Sequence, residues 1–246
     1  MVNAAGAGHP GGSLSAIDLL SAVMLGWGRF SPSAPNPDWV VLGKGHAAPA
    51  LYAVLTELRY LEETELLTYR HLGTRLQGHP DRRKLPAVQV TTGHIGHGLS
   101  IGAGIALGEQ LSNSRRQVYV ILGEGALHEG QTWEAAMAAA KYQLNNLRVL
   151  FDLNGLTQHG PIDQIMPVEP LAAKWQAFGW NATEVDGHDY EQLLQALKSI
   201  QVSDRPAVLL CRTVKGKGVS FMEGDPLWHS RDLPQPLLEK ALQELQ

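Results

Sequence analysis

The chain has 246 residues, of which 44% are hydrophobic and 18% are charged, so it is long enough to bury a sizeable core. Its formal net charge of −4 shows no basic excess, which argues against nucleic acid as a partner. The single cysteine, Cys211, excludes an internal disulfide, and no apolar run reaches the roughly 18 residues that span a bilayer. The N-terminus lacks the basic start and long apolar run of a secretory signal, so we expect a soluble, cytoplasmic protein without a membrane partner.

The first half of the chain predicts several helices and two short strands. In residues 13–27 the apolar residues recur at helical spacing, and Ser13 is placed to cap that helix. The proline-rich residues 31–37 predict a loop. We expect helices at residues 13–27, 47–60, 62–70 and 99–111, and strands at residues 39–42 and 87–90.

The second half alternates strands and helices more regularly. Strands are expected at residues 118–122, 147–151, 182–185 and 207–211, and helices at residues 131–142, 170–178, 190–200 and 236–245. Such an alternation predicts an α/β fold, with a parallel sheet covered by helices on both faces. The chain has no internal repeat and no convincing linker, so we expect one domain over residues 1–246. Ligands of such sheets bind at the carboxyl ends of the strands.

An acidic and an amide side chain follow two consecutive predicted strands. Glu124 lies between Gly123 and Gly125 after the strand at 118–122, and Asn154 with Gly155 follows the strand at 147–151. A carboxylate, an amide oxygen and a free loop carbonyl are hard ligands that suit Mg²⁺ or Ca²⁺. The glycines let backbone N–H groups approach a phosphate, and a helix that begins near Glu129 adds its positive end. The pattern predicts a metal and phosphate site.

Three histidines stand in glycine-containing segments that suit a cavity wall. His9, His46 and His79 each follow a glycine, and two of them precede a proline. Such positions are poor for helix or strand interiors and favour presentation of the ring to a cavity. A neutral imidazole there can move protons. We expect His71 to be exposed and His188 to be structural.

Motifs of other enzyme classes are missing. Gly6, Gly8 and Gly11 have the spacing of a dinucleotide-binding loop, but no strand has room to precede them. The chain contains no glycine-rich loop of the ATPase type. His128-Glu129 lacks the second histidine of a metalloprotease, and one cysteine does not make a cysteine-type zinc site.

Glu124 and Asn154, separated by one helix and one strand, resemble the thiamine-diphosphate motif, with Glu in place of the usual Asp. Five further segments resemble the transketolase family in family order. They are residues 7–13 (AGHPGGS), 43–48 (GKGHAA), 76–80 (LQGHP), 91–93 (TTG) and 213–218 (TVKGKG). The resemblance covers essentially the whole chain, and it implies the thiamine-diphosphate-binding fold of the diphosphate-domain type, with thiamine diphosphate and Mg²⁺ (or Ca²⁺) as cofactors.

The resemblance also implies roles for individual positions. The metal ligands would be Glu124, Asn154 and the carbonyl of Leu156. Cofactor contacts would come from His46, Gly93, Ile95, Gly123, Gly125, Asn154 and His229. Histidines that bind the sugar or transfer protons would be His9, His79 and His229.

Three segments depart from the family pattern. The metal acid is Glu124, whose extra methylene shifts the carboxylate outward by about 1.5 Å. The segment beside the cofactor rings carries His94 and His97, where the family has Pro or Ser and Gln. The segment after the metal asparagine reads Gln158-His159-Gly160 instead of Ile-Asp-Gly. We hypothesise that His94 and His97 take part in catalysis and change the preferred substrate without loss of the cofactor.

The length of the chain also differs from a full transketolase, which carries a pyrimidine-binding domain and a C-terminal domain. The resemblance is therefore to the N-terminal, diphosphate-binding subunit of a split transketolase. It implies that the partner is a separate C-terminal subunit, in a heterotetramer with two copies of each. The first helix that is typical of the family before Asn3 is short here.

The activity that this resemblance implies is transfer of a two-carbon ketol unit from a ketose phosphate to an aldose. Two alternatives stay open at this point. The added histidines motivate a decarboxylating carboligase that uses a 2-oxo acid such as pyruvate. The change at Glu124 motivates a family member without catalytic activity.

Overall fold

Five parallel strands form one sheet in the order β1-β2-β3-β5-β4, in a computed structural model that describes residues 1–246. The strands are β1 (Trp39–Leu42), β2 (Val118–Gly123), β3 (Leu147–Leu153), β4 (Asn181–Asp186) and β5 (Ala207–Arg212). All four neighbouring pairs are parallel. The predicted parallel sheet is therefore confirmed, and β2 and β3, which precede Glu124 and Asn154, are neighbours.

Nine α-helices accompany the sheet. They are α1 (Val2–Ala5), α2 (Pro10–Ser21), α3 (Ala48–Glu57), α4 (His97–Leu111), α5 (Gly130–Lys141), α6 (Ile162–Ile165), α7 (Leu171–Ala177), α8 (Tyr190–Gln201) and α9 (Gln235–Glu244). Shorter helical turns of 3-10 type are Gly45–Ala47, Glu63–Thr68, Glu124–His128 and Pro226–His229. None of these helices combines the length and the hydrophobicity that crossing a membrane requires.

The two faces of the sheet pack into separate apolar layers. On the central strand β3 every residue is buried, and successive side chains point to opposite faces. Leu150 packs in one layer, with α2, α3 and α8, whereas Val149 and Phe151 pack in the other, with α4, α5 and α7. Helices thus cover both faces, as predicted, and the carboxyl ends of the strands remain as the open edge.

The predicted strand at residues 87–90 is wrong, because these residues form turns. Val88 is buried, which accounts for the apolar pattern. The side chain of Gln89 bonds the edge of β1 in place of a strand: its Oε1 accepts from Val40 N at 2.7 Å, and its Nε2 donates to the Asp38 carbonyl at 2.8 Å. A side-chain amide therefore satisfies backbone groups that another strand would otherwise pair.

Several predicted helix bounds also change. The first long helix begins at Pro10, whose fixed φ suits the first helical position, so Ser13 is not its cap. This helix continues into a π-helical turn, Ala22–Trp27. The expected helix at 62–70 is a 3-10 helix, Glu63–Thr68. After β2 the chain first forms the 3-10 turn that begins at Glu124, and α5 begins only at Gly130.

Candidate active site

Glu124 and Asn154 meet at the carboxyl edge of the sheet. In the pairing of β2 with β3, Gly123 lies opposite Asp152, so the residues that follow both strands are close together. The Glu124 carboxylate accepts a hydrogen bond from Gly155 N at 2.6 Å. Gly155 has a φ of +73°, which suits glycine in this tight turn. The side chain of Glu124 thus reaches across to the turn after β3.

Burial sets the charge of Glu124. The residue is only 7% exposed, and its pKa is raised to about 7, first by burial and then by the nearby Asp152 carboxylate. The N–H of Gly155 and the charges of Arg212 and Lys44 act in the opposite direction. A carboxylate with so little solvent and one hydrogen-bond donor is poorly compensated as an anion, and a bound cation would favour its ionised form.

The turn after β3 supplies two further oxygen atoms. Asn154 Oδ1 accepts from Leu156 N at 3.2 Å, and Asn154 Nδ2 donates to Ser15 Oγ at 3.2 Å. The carbonyl of Leu156 accepts from Lys215 Nζ at 3.1 Å. No group of three His, Cys, Asp or Glu side chains is arranged for a metal. The donor set is one carboxylate, one amide and one carbonyl, which fits Mg²⁺ or Ca²⁺ rather than zinc.

Two buried lysines lie on the same edge, and the sequence analysis did not predict them as site residues. Lys44, after β1, pairs with Asp152 and donates to the Gly12 carbonyl at 3.0 Å. Lys215, after β5, has a pKa lowered to about 8 by burial and by the neighbouring Lys44. Both lie inside the glycine-rich segments 43–48 and 213–218, which is the signal that marks them. Lys44 lies beside Gly12 and Lys215 beside Gly11. Because Asp152 pairs with Lys44 and no carboxylate pairs with Lys215, the positive charge that remains buried here fits an anionic ligand.

Three imidazoles form a triangle next to these lysines. The ring centroids of His9 and His46 are 5.1 Å apart, those of His46 and His229 are 5.1 Å apart, and those of His9 and His229 are 5.4 Å apart. His9 precedes α2, and His46 lies in the turn after β1. An antiparallel bridge between Gly8 and Arg231 brings the distant segment of His229 into place.

All three rings are held neutral at pH 7. Burial, followed by nearby basic groups and the other histidines, lowers the pKa of His9 and of His229 to about 4. The pKa of His46 is also lowered, again first by burial. His9 Nδ1 is buried and has no hydrogen-bond partner. Such groups are rarely left unpaired in proteins.

His79 lies where two loops come together at the rim of this site. A methyl group in place of the Gly45 hydrogen would lie 3.1 Å from both Gly93 Cα and His79 Cδ2, so a side chain here would require these neighbours to move by a few tenths of an ångström. Burial and the charge of Arg70 lower the pKa of His79. His79 therefore sits between the turn of His46 and the segment that begins at Gly93.

The two histidines that depart from the family pattern form a separate pair. His94 and His97 stack with ring centroids 4.3 Å apart and an angle of 14° between the planes. Both are exposed, and neither contacts the triangle of His9, His46 and His229. Between them in sequence, Ile95 is 43% exposed. A methyl group on Gly125 would meet only Ile95, at 4.0 Å, so Gly125 faces open space beside this segment.

Two further histidines, His188 and His128, contact groups within the fold. His188 Nδ1 lies 2.6 Å from Asp18 Oδ2, and its Nε2 accepts from Val214 N at 2.8 Å, which agrees with a structural role. His71 is exposed, as expected. His128 Nε2 lies 2.8 Å from the carbonyl of Met166.

Comparison with known proteins shows which family and which relatives the chain is similar to. Residues 1–244 match the family model "Transketolase, thiamine diphosphate binding domain". The chain is 39% identical to one subunit of the apulose-4-phosphate transketolase of Actinobacillus succinogenes, over 99% of this chain and 89% of that protein. It is 38% identical to the SqwG subunit of the 6-deoxy-6-sulfo-D-fructose transketolase of a Clostridium species, over 98% and 89%.

Solved structures of longer proteins share the fold. The chain superposes on transketolase of Campylobacter jejuni with a TM-score of 0.91 and 28% identity, over 99% of this chain and 40% of that one. A transketolase variant of Pichia stipitis in complex with fructose 6-phosphate gives a TM-score of 0.91 and 30% identity, over 99% and 38%. The chain thus spans about two fifths of these proteins.

Proposed function

The chain belongs to the transketolase family, and we propose that it is the diphosphate-binding subunit of a split transketolase. Its reaction would be transfer of a two-carbon ketol unit from a ketose phosphate to an aldose, which makes it a transferase. The observation that carries the proposal is the meeting of Glu124, Asn154, two buried lysines and three neutral imidazoles at one edge of the sheet. The cofactors are thiamine diphosphate and a divalent metal ion.

The residues present fit these cofactors. Glu124, Asn154 and the Leu156 carbonyl would hold Mg²⁺ or Ca²⁺, since they are hard oxygen ligands on one turn and its neighbour. The backbone of Gly123 and Gly125 would approach the diphosphate. Further contacts to the cofactor would come from Lys44, His46, Gly93, Ile95, Lys215 and His229. Thiamine diphosphate, when bound, supplies the carbon nucleophile and the electron sink of the reaction.

The chain's own part in catalysis is to orient the sugar and to move protons. His9 and His229 are neutral at pH 7, so each ring has one nitrogen that accepts and one that donates. The His9 ring is partly exposed, so it could contact a sugar hydroxyl. His79, at the rim, would contact a substrate that enters past Gly93. We propose these three as catalytic histidines.

The partner is proposed to be a separate C-terminal subunit with the pyrimidine-binding domain. The chain aligns over 89% of the length of two relatives that are named as subunits. Such a name implies that these relatives work with another polypeptide. We further propose an α2β2 heterotetramer, in which residues 1–246 act as one domain, and a cytoplasmic location. All five strands belong to one sheet, which supports the single domain.

The substrate is proposed to be an anionic ketose. Two relatives are named for apulose 4-phosphate and for 6-deoxy-6-sulfo-D-fructose, both of which carry a negative group. The comparisons favour ketol transfer over the 2-oxo acid carboligase, because these relatives are named as transketolases. They give no support to a family member without activity. His94 and His97 are proposed to influence which ketose is preferred.

A reconstituted transfer assay tests the proposal. The chain is combined with the product of a gene of about 300 codons that resembles the transketolase C-terminal half, with thiamine diphosphate and Mg²⁺. We expect consumption of a ketose phosphate and appearance of a lengthened acceptor sugar only when both subunits are present. Release of CO₂ from pyruvate, without ketol transfer from any ketose phosphate, would contradict the proposal.

A further inference from the structure

Asp152 is a fully buried carboxylate at the carboxyl end of β3, and it joins groups from three other segments. Its Oδ2 accepts from the Ser15 hydroxyl at 2.7 Å and pairs with the Lys44 ammonium. Its Oδ1 accepts from the Thr213 hydroxyl. A buried charge requires such partners, and one of them, Ser15, also bonds to Asn154.

The single proton of Ser15 is committed to this carboxylate. Ser15 Oγ lies 2.7 Å from Asp152 Oδ2 and 3.3 Å from the Gly12 carbonyl, and both of these oxygens only accept. The third neighbour, Lys44 Nζ at 3.5 Å, only donates. The Ser15 hydroxyl therefore points away from Asn154 and leaves a lone pair on that side.

This lone pair decides which end of the Asn154 amide faces Ser15. The present orientation gives two hydrogen bonds of 3.2 Å, from Asn154 Nδ2 to Ser15 Oγ and from Leu156 N to Asn154 Oδ1. A flipped amide would place its oxygen against the lone pair of Ser15 and its NH₂ group against the N–H of Leu156. Two repulsive contacts would replace two hydrogen bonds.

We propose that Ser15 is a positioning residue that keeps the amide oxygen of Asn154 directed to the metal site, and that Asp152 acts through it by holding the hydroxyl proton. The inference rests on the proposed function, because it takes Asn154 as a metal ligand. Only the oxygen end of an amide is a hard ligand, so the orientation determines whether Asn154 can bind Mg²⁺ at all.

The test is the affinity for Mn²⁺ in the presence of thiamine diphosphate, followed by the electron paramagnetic resonance signal of the free ion. We expect Ser15→Ala to weaken Mn²⁺ binding about tenfold, the usual scale for loss of a group that orients a metal ligand. Ser15→Cys, which retains a weak donor and acceptor, should lie between Ser15→Ala and wild type. Thermal unfolding would verify that each variant is folded.

A matched control removes another helical hydroxyl. Ser199 Oγ on α8 lies 2.7 Å from the carbonyl of Ala196 three residues earlier, much as Ser15 Oγ lies 3.3 Å from that of Gly12, but Ser199 bonds to neither Asp152 nor Asn154. Ser199→Ala should therefore bind Mn²⁺ as the wild type does.

A double variant separates orientation from packing. In Asn154→Asp both ends of the side chain are oxygen, so no orientation remains to be set. Ser15→Ala should then weaken Mn²⁺ binding no further in the Asn154→Asp background. An equal loss in both backgrounds, or no loss in Ser15→Ala alone, overturns the role of Ser15. A wild-type chain that binds no Mn²⁺ with the cofactor instead overturns the metal site, and with it the proposed function.

Discussion

The carboxyl edge of the sheet contains two regions that differ in burial and in bonding. The inner region consists of Lys44, Glu124, Asp152, Asn154 and Lys215. Hydrogen bonds and an ion pair connect these residues, which come from four segments of the chain. The outer rim, which consists of His79, His94 and His97, is exposed. Burial makes each inner group dependent on its neighbours, whereas a rim residue can change without an unpaired charge being left behind.

This difference separates two parts of the function. The inner region has the chemistry to hold a metal ion and a diphosphate, and it contains Glu124, which departs from the transketolase pattern. The rim holds the two added histidines. The comparison predicts that changes in the inner region alter cofactor binding strongly, and that changes in the rim alter substrate preference while cofactor affinity stays nearly constant.

The largest effect is expected from Glu124→Ala. Loss of the carboxylate removes a proposed ligand itself, so Mg²⁺ affinity measured by calorimetry with thiamine diphosphate should fall by about 100-fold or more, beyond the range seen for outer contacts. Glu134→Ala, on the exposed face of α5, is the matched control and should bind normally. An affinity within threefold of wild type in Glu124→Ala would place the metal elsewhere.

The pH dependence of metal binding should follow Glu124. Its pKa is raised to about 7, so the carboxyl is protonated below that pH, and a cation must displace the proton. Mg²⁺ affinity should therefore decrease about tenfold per pH unit below pH 7 and level off above it. Glu124→Gln should bind weakly with no such dependence. A flat profile between pH 5.5 and 7 in the wild type would remove Glu124 from the site.

Loss of one buried lysine should have a moderate effect. In Lys215→Met the diphosphate loses a charged donor, and hydrogen bonds to charged groups are worth about 1.5–3 kcal/mol, so affinity for thiamine diphosphate should fall at least about tenfold. Inorganic pyrophosphate should show the same loss. Lys217→Met alters an exposed lysine of the same loop and serves as control. If both variants bind equally well, Lys215 lies outside the cofactor contacts.

The smallest effect on the cofactor is expected at the rim. Replacement of His94 by Pro and of His97 by Gln should leave thiamine-diphosphate affinity within about twofold of wild type, because neither ring bonds to the inner region. The ratio of kcat/KM for two ketose phosphate donors, measured with the partner subunit, should change by about tenfold. If this double variant lost cofactor binding while the ratio of kcat/KM values stayed unchanged, the assignment of substrate preference to the rim would be wrong.

The sequence predicted the sheet well, for a physical reason. Short apolar runs separated by helical patterns are typical of a parallel sheet whose faces are both covered by helices. The strands β2, β3 and β5 lie where these runs do. The strand predicted at residues 87–90 is wrong because Val88 is buried in a turn and not in a strand. The pattern of apolar residues does not reveal that Gln89 bonds the edge of β1 through its side chain.

The inner region was only partly predictable. Glu124 and Asn154 follow strands, and that local position indicates a site. The roles of Lys44, Asp152 and Lys215 depend on which charges become buried together, and this is decided by tertiary packing. The two lysines lie in glycine-rich segments. A local signal also marks Asp152, which stands in the run Phe151-Asp152-Leu153, and β3 extends through it because its charge is paired with Lys44.

The most direct test is a crystal structure of the chain with thiamine diphosphate and Ca²⁺, with the ion located by its anomalous scattering. We predict an ion about 2.4 Å from a Glu124 carboxylate oxygen, from Asn154 Oδ1 and from the Leu156 carbonyl, with the diphosphate beside Lys44 and Lys215. An ion bound without Glu124 and Asn154, or a diphosphate away from the two lysines, would contradict the proposed site.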